Sequence, residues 1–262
     1  MSASGTRSDN IPRAALVTGA AHRIGRAIAL DLAAQGFDIA IHYNRSGDAA
    51  EDLAGEIRGL GRKAATLAAD LAREEETSTL IARAGKALGP VGLLVNNASR
   101  FEFDVWDKAT RESWDVHMET NLRAPFLLSQ DMARALPEGA EGVIVNLLDQ
   151  RVWNLTPYFV SYTLSKAGLW TLTQTLALAL APRIRVNAIG PGPTLKSERQ
   201  NEDHFRMQWD ATPLQHGATP EEIAAGIRFI LSAPSMTGQM IALDGGEHLG
   251  WAQPSRGIVP FE

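Results

Sequence analysis

The sequence contains no cysteine. Disulfides, thiolate-bound metal and a cysteine nucleophile are therefore excluded, and a reducing, cytoplasmic location is expected. No apolar run approaches the ~20 residues that span a bilayer, so no membrane partner is expected. The first dozen residues, MSASGTRSDNIP, lack the apolar stretch of a secretory signal. They read as a disordered leader over 1–12, ahead of a single domain over 13–262. Lys and Arg form no cluster and the formal net charge is −5, which leaves a nucleic-acid surface without a basis. His117, His204, His216 and His248 show no ligand spacing, so surface or capping roles are expected and no metal.

What is present is alternation. Short β-branched runs (14–18, 38–43, 64–68, 92–95, 142–148, 185–189, 239–243) are separated by Ala/Leu-rich helical runs (23–35, 48–60, 74–88, 111–136, 158–181). A last helix starts at Thr219-Pro220-Glu221-Glu222, with a cap, a proline at the first position and acids in the first turn. The segment between Pro193 and Thr219 reads as loose and polar. This pattern predicts an α/β fold: a doubly wound parallel sheet of about seven strands with helices on both faces. Apolar positions in the second long helix (Trp170, Leu172, Leu176, Leu178, Leu180) look exposed and suggest an assembly. The tail from Glu247 carries Trp251, Ile258, Val259 and Phe261, for packing on a neighbour or on its own body.

The first strand leads into Gly19-Ala20-Ala21-His22-Arg23-Ile24-Gly25. Gly19 permits a tight turn, Gly25 permits close helix–sheet approach, and the free N–H groups of the helix start face a pyrophosphate. A site for NAD places an acid at the end of the second strand, to bind the ribose hydroxyls. Here that place reads Asn44-Arg45-Ser46. Arg45 can pair with a 2′-phosphate, Ser46 can donate to it, and Arg23 adds charge nearby, so NADP(H) is expected over NAD(H). Asp70, after the third strand, reads either as an acceptor for an adenine amino group or as a plain turn residue.

Farther on, Tyr162 and Lys166 stand four apart and share a helix face. A tyrosine near its free pKa of about 10 is a weak acid–base at neutral pH. An adjacent ammonium stabilises tyrosinate and brings that pKa down. Pro125 has no N–H to give the carbonyl of Asn121, which leaves that carbonyl free to hold a water.

In order, Thr18-Gly19…Gly25, Asp70, Asn96-Asn97-Ala98, Asn121, Tyr162…Lys166 and Pro191-Gly192 resemble the short-chain dehydrogenase/reductase family over residues 13–246. The resemblance implies a Rossmann-type fold and an oligomer, a homotetramer or homodimer. It implies Tyr162 as general acid, Lys166 on the nicotinamide ribose and Asn121 as anchor of a relay water. It also implies cofactor contacts at Ile24, Asn44, Leu71, Asn97, Ala98, Pro191 and Gly192.

Two departures narrow the choice. Arg23 replaces a family glycine, and Asp149 replaces the catalytic serine thirteen residues before the tyrosine. An ionised Asp cannot donate to a carbonyl; it accepts from N–H groups or relays a proton to a ring nitrogen. The strings Gly19-Ala20-Ala21-x-Arg23, His42-Tyr43-x-Arg45-Ser46, Asn97-Ala98-Ser99-x-Phe101 and Asp149…Tyr162…Lys166 resemble the pteridine reductases. That resemblance implies Phe101 stacked on a pterin, with Ser99 and Arg23 contacting pterin or phosphate. A reductase of another carbonyl (a 3-oxoacyl thioester or a sugar) and a non-catalytic NADP-binding regulator are the alternatives. Trp153, between Asp149 and Tyr162, is expected either to line the pocket or to pack in the core.

Overall fold

The computed structural model describes residues 10–197 and 199–250. Seven parallel strands form one sheet in the order β3-β2-β1-β4-β5-β6-β7. They are β1 (Ala14–Val17), β2 (Asp38–Tyr43), β3 (Ala64–Ala68), β4 (Val91–Asn96), β5 (Gly142–Leu147), β6 (Ile184–Pro191) and β7 (Met240–Leu243). The central strands are apolar along both faces because both are covered: every residue of β1, β4 and β5 is buried. One face packs on α1 (Arg23–Ala34), α2 (Gly47–Gly59) and α9 (Pro220–Ser232), through Ile28, Leu53 and Ile227. The other packs on α4 (Leu80–Leu88), α6 (Ala124–Ala135) and α7 (Val160–Ala179), through Leu80, Leu128 and Leu176. The strand order turns back between β1 and β4. In an open α/β sheet that reversal opens a crevice at the C-terminal strand ends.

The structure corrects several expectations. The run 74–88 is divided into α3 (Glu74–Thr77) and α4. The run 111–136 is α5 (Arg111–Met118), a π-helical turn (Glu119–Arg123) and then α6. In that turn the Ala124 N–H reaches back five residues to the Glu119 carbonyl. The next residue is Pro125, which cannot make the ordinary four-residue bond. The segment after Pro193 holds a helix, α8 (Glu202–Asp210), capped by Asn201. Of the apolar stretch on α7, Leu176 is buried and Leu172 and Leu180 pack against the core. Trp170 is partly buried, and Leu178 remains 84% exposed. At the front, Ile11 is buried and the Asn10 carbonyl accepts from the Glu141 N–H (3.2 Å), so Asn10–Pro12 belong to the body and not to a leader. Residues 1–9, where the leader is expected, and the tail beyond Gly250 lie outside the described residues. No helix among those described is long and apolar enough to cross a membrane.

Candidate active site

The end of β1 is stitched to the end of β4. The Thr18 hydroxyl accepts from the N–H groups of Asn97 (2.9 Å) and Ala98 (3.0 Å). The Asn97 amide donates back to the carbonyls of Thr18 (2.8 Å) and Gly19 (3.2 Å). Gly19 has φ +62°. At Gly25 a Cβ would stand 2.3 Å from the Gly19 carbonyl oxygen and 2.5 Å from the Asn97 amide nitrogen, so only glycine fits. Helix α1 has neither a side-chain cap nor an acid in its first turn. Its N–H groups are open to an anion.

His42, to which the sequence reading gives no role, holds this turn from below. Its Nδ1 accepts the Gly19 N–H (3.0 Å) and its Nε2 faces the Ala69 carbonyl (3.1 Å). Nε2 therefore carries the proton. Burial pushes the His42 pKa down to about 4, and the ring is neutral at physiological pH.

Beyond β2, Asn44 and Arg45 are exposed. Arg45 makes no ion pair or hydrogen bond among the described residues. Ser46 stands at the start of α2 with its side chain giving no cap bond. At Asp70 the Oδ1 accepts from the Ala72 N–H (3.0 Å), and Leu71 is buried beside it. Arg23, at φ +55°, does not aim at the Arg45 end. Its guanidinium crosses to the segment after β6 and donates to the carbonyls of Lys196 (2.9 Å) and Leu195 (3.1 Å).

At the chemical end, Asp149 follows β5, and its Oδ2 accepts from the Tyr162 hydroxyl at 2.8 Å. Its Oδ1 accepts from the Arg151 N–H (2.8 Å). The Lys166 ammonium donates to the Leu147 carbonyl (2.7 Å) and lies 5.8 Å from the centre of the Tyr162 ring. Burial pushes Lys166 down to about 8, against the opposing pull of Asp149. Asn121, in the π turn, donates to the Ser165 hydroxyl (3.0 Å) and the Arg100 carbonyl (2.9 Å). It accepts from the Ser99 hydroxyl (3.2 Å) and the Arg100 N–H (2.8 Å). The turn thereby fixes the loop after β4 to α7.

Asp149, Tyr162 and Lys166 line a cavity of about 290 Å³ that also includes Arg23, Ile24, Ser99, Phe101, Pro191 and Gly192, while Asn121 is buried behind it. Phe101 stacks on Phe159 (4.4 Å, 15°) and meets the Tyr162 ring edge-on (4.6 Å). The guanidinium groups of Arg151 and Arg199 flank Phe101 at 5.6 and 4.9 Å. Phe159, Arg151 and Arg199 sit in no sequence motif, and only the fold brings them to the cavity. Trp153 is outside the cavity lining; it is partly exposed and packs on Trp170 and His248. His117 is fully buried, not at the surface. No group of acids and histidines among the described residues could hold a metal.

The family model described as short chain dehydrogenase matches residues 13–206. Among solved structures, FolM alternative dihydrofolate reductase 1 from Brucella canis, complexed with NADP, is 48% identical with a TM-score of 0.91, over 97% of this chain and 100% of that one. The protein of the same name from Brucella suis, also in complex with NADP, is 49% identical with a TM-score of 0.90, over 95% and 99%. Among curated proteins, the 3-oxoacyl-[acyl-carrier-protein] reductase FabG of Staphylococcus epidermidis is 33% identical over 243 residues, 90% of this chain and 99% of that protein.

Proposed function

The chain belongs to the short-chain dehydrogenase/reductase family, and on that footing we propose that it is an NADPH-dependent reductase of a C=N or C=O bond in a pterin-like compound, a dihydropterin or dihydrofolate. The observation that carries the substrate class is the Asp149–Tyr162 hydrogen bond. Where a serine would donate to a ketone oxygen, this site presents a carboxylate that accepts. A ring with N–H groups answers that acceptor; a plain ketone does not. The FolM structures, similar over nearly the whole chain, support the same reading.

The residues present fit NADPH. The uncapped start of α1 and the Gly19 turn suit a pyrophosphate, and Arg45 with Ser46, and no acid, suit a 2′-phosphate. Asn97, Ala98, Pro191 and Gly192 would frame the nicotinamide end, and Lys166 its ribose. Bound NADPH would supply the hydride. Tyr162 gives its hydroxyl proton to the substrate atom beside the reduced carbon. Lys166 steadies the tyrosinate left behind. Asp149 would accept from a ring N–H of the bound substrate, which releases the Tyr162 hydroxyl from the carboxylate to turn its proton to the substrate. The Asn121 carbonyl, denied its donor by Pro125, holds the water that returns a proton. Phe101 offers its ring to a flat substrate, and Ser99 and Arg23 lie at the rim. We place the enzyme in the cytoplasm, as one catalytic domain assembled into a homotetramer or homodimer.

The test follows NADPH absorbance with a quinonoid or 7,8-dihydropterin, beside acetoacetyl thioester and NADH controls. NADPH loss with the pterin, abolished in Tyr162→Phe, is expected. Turnover of the thioester alone would favour the second reading, a 3-oxoacyl reductase, which the FabG similarity supports.

A further inference from the structure

Helix α7 carries Tyr162 and Lys166, yet nothing at its own start caps it. The residue before it, Phe159, is left-handed (φ 56°, ψ 50°) and provides no side-chain bond. The orphan N–H groups of a first turn need acceptors. The Ser161 N–H finds them 57 positions earlier, in the carboxylate of Asp104 (3.2 Å to Oδ1, 3.4 Å to Oδ2). Asp104 is buried, and its Oδ2 also accepts from the hydroxyls of Ser161 and Ser113. A buried carboxylate is tolerated where donors and a helix N-terminus surround it.

The network continues through Ser161. Its hydroxyl accepts from His117 Nδ1 (2.6 Å), and His117 Nε2 accepts from the Glu102 N–H (2.9 Å). Burial keeps the His117 pKa below its ordinary value, consistent with a neutral ring donating from Nδ1. The Asp104 carbonyl meanwhile accepts from the Phe159 N–H (2.8 Å). Glu102 and Asp104 are thus tied to Phe159 and Ser161, and the neighbours of those four are Phe101 and Tyr162. The His117 ring lies 5.9 Å from the Tyr162 ring.

We propose that Asp104 is a positioning residue: by capping the catalytic helix from the loop that carries Phe101, it sets the proton donor Tyr162 and the substrate-facing ring Phe101 in register. The proposal rests on the roles given to those two residues above. It makes the loop after β4 and the start of α7 one unit, so a single carboxylate governs both turnover and the fit of a flat ring.

The experiment compares Asp104→Ala, Asp104→Asn and Ser161→Ala for kcat, for KM and for NADPH affinity by nucleotide fluorescence. Loss of Asp104 is expected to lower kcat/KM by about tenfold to a hundredfold, the scale of an ångström's misplacement. NADPH affinity should stay within about twofold of wild type, because the phosphate-side residues (the Gly19 turn, Arg45 and Ser46) lie outside the network and Lys166 is held separately by the Leu147 carbonyl. Asp104→Asn keeps one oxygen for the Ser161 N–H and should restore much of the rate. In a Phe101→Ala background the effect on KM should vanish while the effect on kcat remains. Unchanged kcat and KM in Asp104→Ala would overturn the proposal, as would an equal KM effect in both backgrounds or an equal loss of NADPH affinity. If the alanine variant does not fold, Asp104→Asn and Ser161→Ala carry the same comparison. If a ketone is turned over and pterins are not, the substrate reading falls, and kcat on that ketone still decides the role of Asp104.

Discussion

In the proposed reaction Asp149 is the side chain that sets the substrate class. Replacing it by serine exchanges an acceptor for a donor. Asp149→Ser is expected to lower kcat/KM on a dihydropterin by about 10²-fold and to raise the rate on an acetoacetyl thioester, read from paired NADPH assays. Lys166 sets an alkaline limit. With its folded value near 8, the ammonium beside Tyr162 is lost above that pH. A falling limb of kcat near pH 8 is therefore expected, displaced upward in Lys166→Arg. Its linkage to stability has the opposite sign: from pH 8 to about 10.5 the unfolded chain alone holds the proton, so Lys166 favours the fold increasingly as pH rises through that window. His42 acts at the acid end. Between pH 6.5 and about 4 the unfolded chain takes up a proton that the folded chain refuses, so stability falls as pH drops across that range. Melting curves at pH 7 and 4.5 should show this slope in the wild type and a shallower one in His42→Asn.

At the scale of elements, what could be read in advance was whatever has a period. The strands and most helices follow from apolar alternation, and the Gly19–Gly25 turn from glycine spacing. The π turn has no such signal: Pro125 announces a missing bond but not the extra residue that absorbs it. Helix α8 escaped because none of its residues is fully buried and its apolar face is a single pair, Phe205 and Trp209, among charges. His117 looks polar on a polar helix, and only its long-range partners explain its burial. The site itself was legible where it rests on motifs (Tyr162, Lys166, Asp149) and illegible where it rests on contacts made by the fold (Phe159, Arg151, Asp104). The tightest of those contacts gives a test. In Gly25→Ala the new methyl must push backbone at Gly19. A loss of about 1–3 kcal/mol in stability is expected. NADPH affinity should fall more than tenfold, by nucleotide titration.

For the whole molecule, the C-terminal ends of the strands gather the residues proposed for both ligands. The expected assembly has narrower support than the sequence suggests, since most of the α7 apolar stretch is satisfied within one chain and Leu178 is left. A solution mass that is a multiple of 28.3 kDa is expected from light scattering; a value equal to it would refute the oligomer. The Arg23 bridge to Leu195 and Lys196 reaches from the nucleotide turn to the segment over the substrate cavity. A phosphate that attracted this guanidinium would compete with those two carbonyls, and the two ligands would then be coupled thermodynamically through one side chain. Such coupling is reciprocal. A ligand held in the cavity beside Thr194 and Leu195 should then alter nucleotide affinity by the same factor that the nucleotide alters its own. Shortening Arg23 to alanine should bring that factor to one, making binding of the two partners independent.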